Sequence, residues 1–362
     1  MSRPLLSKAL VYSGVPGALE LVELEIPPLR NDQALVLVDG CTLCGSDLHS
    51  LHGRRKVPIP TVLGHEIVGT LVELGDLFPR FDILGQPLSI GSRITWSIVA
   101  HCGKCFYCQR GLEQKCEHAC KYGHMGFESG YALSGGLAEY CLLAPGTSPI
   151  KVPDKMPLEL ITPASCATAT VMAAMHCLAA PPLHQSHIVI LGAGMLGLTA
   201  CAVAKQKGWQ KIVVVEPSTS KQALALRFGA TDTLTAEDWI NVTKDNHGYG
   251  CDAVLELSGA CSMIAPAIES LRIGGQLVLV GTVFPTPAIS VLPEQIVRRQ
   301  LNLHGVHNYT SQHLVQAVQF LDQYGLDFPL AELVTSWQTL EEVHDWIQRG
   351  STTNAIRLGV KP

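Results

Sequence analysis

Residues 186–208 read SHIVILGAGMLGLTACAVAKQKG, and the fold of the second half of the chain follows from them. The run IVIL is continuous, apolar and largely β-branched, which suits a strand buried on both faces. Gly192, Gly194 and Gly197 follow as G-A-G-M-L-G, and a helical run begins at Met195 and Leu196. The first glycine allows a tight turn, the second lets backbone approach a pyrophosphate, and the third packs helix against strand. The helix start offers free N–H groups and a partial positive charge to such an anion. Alone, this spacing serves helix packing as readily as nucleotide binding. The next apolar run, IVVV, ends in Glu216, where a dinucleotide site needs a carboxylate for the ribose hydroxyls. A carboxylate there repels a 2′-phosphate, so the expected cofactor is NAD rather than NADP. Lys221 is either a further ribose contact or a solvated surface lysine.

The same texture continues outward. CDAVLELSG (251–259) and GQLVLVG (275–281) are apolar runs bounded by turn residues, and KQALALRFGA (221–230) is helical. Continuous apolar strands alternating with helices predict a parallel sheet covered on both faces, a doubly wound α/β domain. The first third differs. KALVY, ALVLVDG, EIVGTLVEL and SRITWSIV are short runs broken by Gly and Pro, which predicts an irregular β-rich domain. Beyond His307, HLVQAVQFLDQYG and EEVHDWIQRG read as helices, and AIRLGV as a strand returning to the first domain. The expected division is 1–162 with 307–362, and 163–306.

A chain of 362 residues is long enough for two cores, and 47% hydrophobic against 16% charged residues argues against disorder. A formal net charge of −5 speaks against a general nucleic-acid binder. The first residues show no secretion signal. Residues 188–204 are uncharged and nearly long enough to span a membrane, but their ordered glycines suit a strand and turn. A cytoplasmic protein with neither membrane nor nucleic-acid partner is expected. Thirteen cysteines then favour metal binding, catalysis or burial over disulfides. Cys177, Cys201, Cys251 and Cys261 stand singly in apolar surroundings and are expected to be small buried hydrophobes.

Cys102, Cys105, Cys108 and Cys116 are different. Four thiolate candidates within fifteen residues can close a tetrahedral zinc site with no open position, the structural kind. A second set is dispersed. Cys44 and His65 offer a sulfur and an imidazole, with Cys166 a third candidate far along the chain. Three ligands leave a position for water or substrate, as in a catalytic zinc. Spacing alone does not link these three, because a lone Cys or His more often packs or hydrogen-bonds.

Five motifs occur in one order: C-G-S-D-x-H (44–49), G-H-E (64–66), the four-cysteine cluster, G-G-x-A-E-Y (135–140) and GAGMLG. Together they resemble the zinc-containing medium-chain alcohol dehydrogenase family over essentially the whole chain. The resemblance implies a chaperonin-10-like β-barrel catalytic domain carrying both zinc sites, a Rossmann NAD-binding domain, and an active site between them. It implies Cys44, His65 and Cys166 as catalytic zinc ligands and Glu66 as a carboxylate able to approach the metal. Ser46 matches the hydroxyl that bonds the alcohol, His49 the far end of a proton relay, and Asp47 the carboxylate that fixes His65. Two departures stand out: many relatives use a glutamate where PASCATAT offers only Cys166, and some carry an arginine in place of Gly45. Relatives associate through the Rossmann sheet edge, so a homodimer or homotetramer is implied, with 284–291 (FPTPAISV) a candidate part of the contact.

Arg54, Arg55 and Lys56 are three consecutive cations in an acidic chain. They form either a solvated basic turn or part of a pocket for an anionic substrate group, to which His52, Lys121 and His124 could add. HGRRKVPIPT, KCEHACKYGH and SCATATV further resemble a subgroup associated with phosphonate catabolism. That resemblance implies an alcohol or carbonyl substrate bearing a phosphonate or phosphate. Rival readings are a polyol or simple secondary-alcohol dehydrogenase without anion preference and, from another class, a zinc-stabilised binding module. Zinc-free quinone reductases of the same superfamily should lack the metal residues, which are present here.

Overall fold

The computed structural model describes residues 5–182, 184–244, 250–348 and 356–362. The chain divides into two compact units, Met1–Ala169 with Thr310–Leu326 and Leu330–Pro362, and Thr170–Tyr309 with Asp327–Pro329. The chain therefore crosses at 169/170 and 309/310, where sequence texture placed 162/163 and 306/307, and again at 326/327 and 329/330. Texture missed the first crossing because it falls inside one helix, Ala167–His176, whose composition does not change there.

The second unit is built on a six-stranded parallel sheet. Its spatial order is Asp232–Leu234, Lys211–Val215, His187–Leu191, Cys251–Glu256, Leu271–Leu279, Asn302–Gly305. Ile188, Val189, Ile190 and Leu191 are each at most 1% exposed, as a strand covered on both faces requires. Strand order reverses between His187–Leu191 and Cys251–Glu256. At that point the chain turns at Gly192 and enters the helix Met195–Gln206. Open parallel sheets bind ligands outside the carboxyl ends of their strands at such a reversal. The uncharged stretch 188–204 is accordingly strand, turn and helix. Among the described residues no single helix is long and apolar enough to cross a membrane.

The first unit is β-rich. Strand Ala34–Leu43 pairs antiparallel with Glu66–Leu74 on one side, and with Tyr140–Leu143 and Arg357–Val360 on the other. Its alternate residues feed two cores. Ala34, Val36 and Val38 join Ile67, Leu71, Ile94 and Trp96, while Leu35 joins Leu10, Val62 and Leu137. A separate sheet of Glu20–Glu25, Leu6–Tyr12 and Thr61–Val62 supplies the other wall of the second core. The last strand returns to this unit, as its apolar run suggested, and brings Arg357 with it.

The thirteen cysteines are all free. Cys201 and Cys251 are buried, but Cys177 and Cys261 are only half-buried, which corrects the expectation for those two. Cys177 follows the last residue of a helix and Cys261 opens a short 3-10 turn. Residues at element ends face the rim of the layer, so apolar neighbours in sequence do not ensure cover in space.

Candidate active site

Sheet register builds the first site. Thr42 pairs with Glu66 and Leu43 with Leu358, so Cys44 emerges between His65, just before one neighbouring strand, and Arg357 on the other. The helix Gly45–Leu51 starts at the next residue and carries Asp47 in its first turn. Asp47 is 1% exposed and its carboxylate is fully used. Oδ2 accepts from the Cys44 N–H at 2.9 Å, and Oδ1 accepts from the Gly64 N–H at 3.2 Å and from His65 Nδ1 at 3.0 Å. Gly64 makes this possible with φ of +88°, and a Cβ there would lie 2.7 Å from Cys41 Sγ. With Nδ1–H held by Asp47, the His65 Nε2 is the atom left for a ligand, and Ser46 Oγ lies 3.5 Å from it.

Cys166 follows the 3-10 turn Thr162–Ser165, and its Sγ stands 3.9 Å from Cys44 Sγ. The ligand atoms of Cys44, His65 and Cys166 all lie within 4.8 Å of one another. Two sulfurs and an imidazole form a donor set suited to zinc, with a coordination position to spare. The structure thus brings together three residues that spacing could not connect.

Arg357, which the sequence reading passed over, completes the surroundings. Its Nε and Nη2 donate to Glu66 at 3.0 and 3.2 Å, and Nη2 approaches Cys44 Sγ at 3.4 Å. Thr42 Oγ1 donates to Glu66 at 2.5 Å. A single charged residue in an otherwise apolar closing strand was the available signal. Burial raises the Glu66 pKa, with Arg357 opposing it. The two thiols behave as a pair: the hydrogen bond from Cys166, helped by Arg357, holds Cys44 well below the usual thiol range, and the same bond together with burial pushes Cys166 up. Burial works against a charged His65, but Asp47 outweighs it and raises the imidazole to about 10.

The four-cysteine lobe is a second donor cluster. Sγ atoms of Cys102, Cys105, Cys108 and Cys116 lie within 4.8 Å of one another. Backbone N–H groups of Cys102 and His118 point at Cys116 Sγ at 3.2 and 3.3 Å, and Cys105 receives backbone hydrogen bonds that bring it down to about 6. Such donors stabilise thiolates, as a closed tetrahedral zinc site requires. Glu113, within the lobe, accepts from the Ser311 N–H and so ties the lobe to the helix Ser311–Tyr324.

In the second unit the glycine turn fits a dinucleotide. A Cβ on Gly197 would sit 1.9 Å from the Gly192 carbonyl oxygen, whereas one on Gly194 would meet nothing within 4 Å, leaving room for a phosphate. Glu216 is buried. Its Oε2 accepts from the Ala193 N–H at 2.8 Å and its Oε1 from the Ser218 N–H at 3.1 Å, so lone pairs remain for ribose hydroxyls. Lys221 is half-buried on the helix Thr219–Arg227. Glu256, not singled out from sequence, ends the next strand as a fully buried carboxylate holding the Ser258–Gly259 turn. Of the three consecutive cations, Arg54 and Lys56 are exposed and Arg55 is half-buried, and the Arg54 and Arg55 N–H groups both donate to the His49 carbonyl.

Residues 30–154 match the family described as alcohol dehydrogenase GroES-like domain, and residues 196–323 the one described as zinc-binding dehydrogenase. An alcohol dehydrogenase of Geobacillus stearothermophilus is 30% identical over 98% of this chain and 99% of its own length. D-arabinitol dehydrogenase 1 of Uromyces fabae is 28% identical over 97% of this chain and 96% of its own. Among solved structures, an alcohol dehydrogenase of Thermotoga maritima covers 99% of this chain and all of its own (100%) with a TM-score of 0.88 at 27% identity. The first unit has the GroES-like, chaperonin-10-like fold and the second the Rossmann doubly wound fold.

Loading the Cys44–His65–Cys166 cluster with zinc must strip protons from Cys166, whose thiol is pushed up, and from His65 Nε2, raised to about 10, while Cys44 is held well below the usual thiol range. Calorimetry in two buffers of different ionisation heat should give more protons released per chain for wild type than for a Cys44→Ser/His65→Ala variant. Affinity should fall as pH is lowered. Equal proton release from both proteins would contradict the assignment.

Proposed function

This chain belongs to the zinc-binding alcohol dehydrogenase family, an oxidoreductase family, and we propose that it transfers hydride between NAD and an alcohol bearing a phosphonate or phosphate group. The observation that carries the reading is the donor set of Cys44, His65 and Cys166, with Lys121 close enough to Cys166 to feel its charge. Among the described residues neither Arg55 nor Lys121 forms an ion pair. We assign two zinc ions per chain, one to this set and a structural one to Cys102, Cys105, Cys108 and Cys116. Thirteen free thiols accord with the reducing cytoplasm.

Zinc, when bound, supplies a Lewis acid that makes a substrate hydroxyl acidic near neutral pH, and NAD, when bound, accepts the hydride. Ser46 stands where it can take the hydroxyl proton, since its Oγ is beside the metal-facing nitrogen of His65. His49 lies three residues on, on the same helix face. Burial and the charge of Arg54 lower its pKa, which favours the neutral imidazole that can receive a relayed proton. Asp47 keeps His65 in the ligating tautomer, and Glu66 is a neighbouring carboxylate held by Arg357. Gly192, Gly194, Met195, Leu196 and Gly197 cradle the pyrophosphate, Glu216 holds the ribose, and Lys221 is a secondary contact. The same residues serve reduction of the matching carbonyl.

The likeness to a D-arabinitol dehydrogenase favours a second reading, a neutral polyol. NAD reduction with two matched alcohols, one carrying a phosphonate and one neutral, separates the readings. The phosphonate alcohol should have the higher kcat/KM by about tenfold or more, and an Arg54→Ala/Arg55→Ala variant should lose that preference. A neutral alcohol used as well or better would leave a zinc alcohol dehydrogenase with a solvated basic turn.

Glu216 also sets the cofactor. The kcat/KM ratio of NAD over NADP should drop at least about tenfold in Glu216→Ala, because the carboxylate no longer repels a 2′-phosphate. An unchanged ratio sinks this role, whatever happens to overall activity.

The strand Asn302–Gly305 ends the parallel sheet, and Leu303, Val297 and Leu292 near it are exposed. We assign a homodimer or homotetramer to that edge, with residues 284–291 as part of the contact. Light scattering should give at least twice the chain mass of 38.9 kDa, and a monomer mass would refute the assembly.

A further inference from the structure

We propose that Lys121 and Arg55 hold the tetrahedral oxyanion of the substrate, and that His124 selects a phosphonate or phosphate over a carboxylate by accepting its P–O–H hydrogen. This inference rests on the oxidoreductase reading above and names the residues that would give it its substrate class. Packing brings the groups together. Segment 121–127 lies against Gly64 and His65 at the entry to the strand Glu66–Leu74, where a Cβ on Gly123 would meet the Gly64 carbonyl at 2.6 Å and His65 Cβ at 3.2 Å. It also lies against the loop of cations, because Gly126 bridges Thr61 and a Cβ on Gly126 would fall 2.9 Å from Pro58. Segment 121–127 therefore packs against His65 on one side and against the end of the loop 54–60 on the other.

Charge is unbalanced there. Burial brings Lys121 down to about 8, and the nearby Arg55 adds to the effect while Cys166 opposes it. Arg55 bears on His124 and His49 as well. The acids in reach are committed elsewhere: Asp47 to His65, Cys44 and Gly64, and Glu66 to Arg357 and Thr42. A half-buried lysine and arginine without a counter-ion among the described residues are a site for an anion.

His124 supplies the discrimination. It is 7% exposed, and its ring centroid is 5.2 Å from that of His65. Its Nδ1 lies 2.8 Å from the Tyr122 carbonyl, so Nδ1 carries the hydrogen, and Nε2 is a buried acceptor without a partner among the described residues. An orphaned buried acceptor calls for a partner that brings a hydrogen. A monoanionic phosphonate or phosphate ester carries charge for Lys121 and Arg55 and a P–O–H for Nε2. A carboxylate carries the charge alone.

Binding of methylphosphonate, methyl phosphate and acetate to the zinc-loaded protein can be followed by calorimetry without turnover. Wild type should bind both tetrahedral anions and bind acetate at least roughly tenfold more weakly. Lys121→Met should lose about ten- to hundredfold for the tetrahedral anions, and Lys121→Arg should restore most of it, zinc content being equal in all. His124→Phe should narrow the gap between methylphosphonate and acetate. Either no binding of methylphosphonate by wild type, or Lys121→Met binding as wild type does, would overturn the inference and leave alcohol oxidation standing. Binding through Lys121 without turnover of any alcohol would sustain the cradle and refute the hydride-transfer reading. Preferential binding of methylphosphonate over methyl phosphate, or the reverse, decides between the two sources of the anion.

Discussion

One buried carboxylate organises the candidate active site. Asp47 receives the N–H of Cys44, the N–H of Gly64 and the Nδ1 of His65, and it is almost wholly removed from water. A buried charge survives only when it is fully hydrogen-bonded, and three donors meet that condition here. The same three bonds tie the end of one strand, the first turn of a helix and the start of the neighbouring strand into one rigid piece. Both early ligand candidates, and Ser46 between them, take their positions from that piece. Removing the carboxylate would free the His65 ring and leave two backbone donors buried without partners.

The charges around this piece are balanced except on one side. Glu66 and Arg357 neutralise each other in the sheet, with Arg357 also reaching Cys44. That guanidinium and the Cys166 thiol stabilise Cys44 as a thiolate in a buried site. On the side of 54–60 and 121–127, positive charge accumulates without a counter-ion among the described residues. Such an imbalance costs stability in the protein alone, and an anion bound there would relieve it.

The second unit solves a different problem with backbone rather than charge. Its central strand is covered on both faces and ends at the reversal of strand order, where Gly197 must lack a side chain and Gly194 leaves space. Glu216 and Glu256 are buried at the ends of adjoining strands and accept backbone N–H groups of the turns beside them. In each case a carboxylate folds a loop whose own N–H groups would otherwise lack acceptors. The turn beside the open space at Gly194 is thus held by hydrogen bonds that it makes with the sheet.

Whatever rests on short range can be read from the chain before it folds. The glycine turn, the parallel strands and the four clustered cysteines are legible because period, turn chemistry and ligand spacing all act within some twenty residues. The β-rich character of the first third and its closing strand are legible for the same reason, although the crossing inside Ala167–His176 left no mark in composition. The remaining features exist only once the chain is folded. Cys166 approaches Cys44 across 122 residues, and Arg357 reaches Glu66 across 291. Likewise, exposure divides Arg54 and Lys56 from Arg55, and packing brings Lys121 and His124 beside a strand formed about sixty residues earlier. Such neighbours are set by sheet register and burial, which depend on the whole core closing and leave no local periodicity to read.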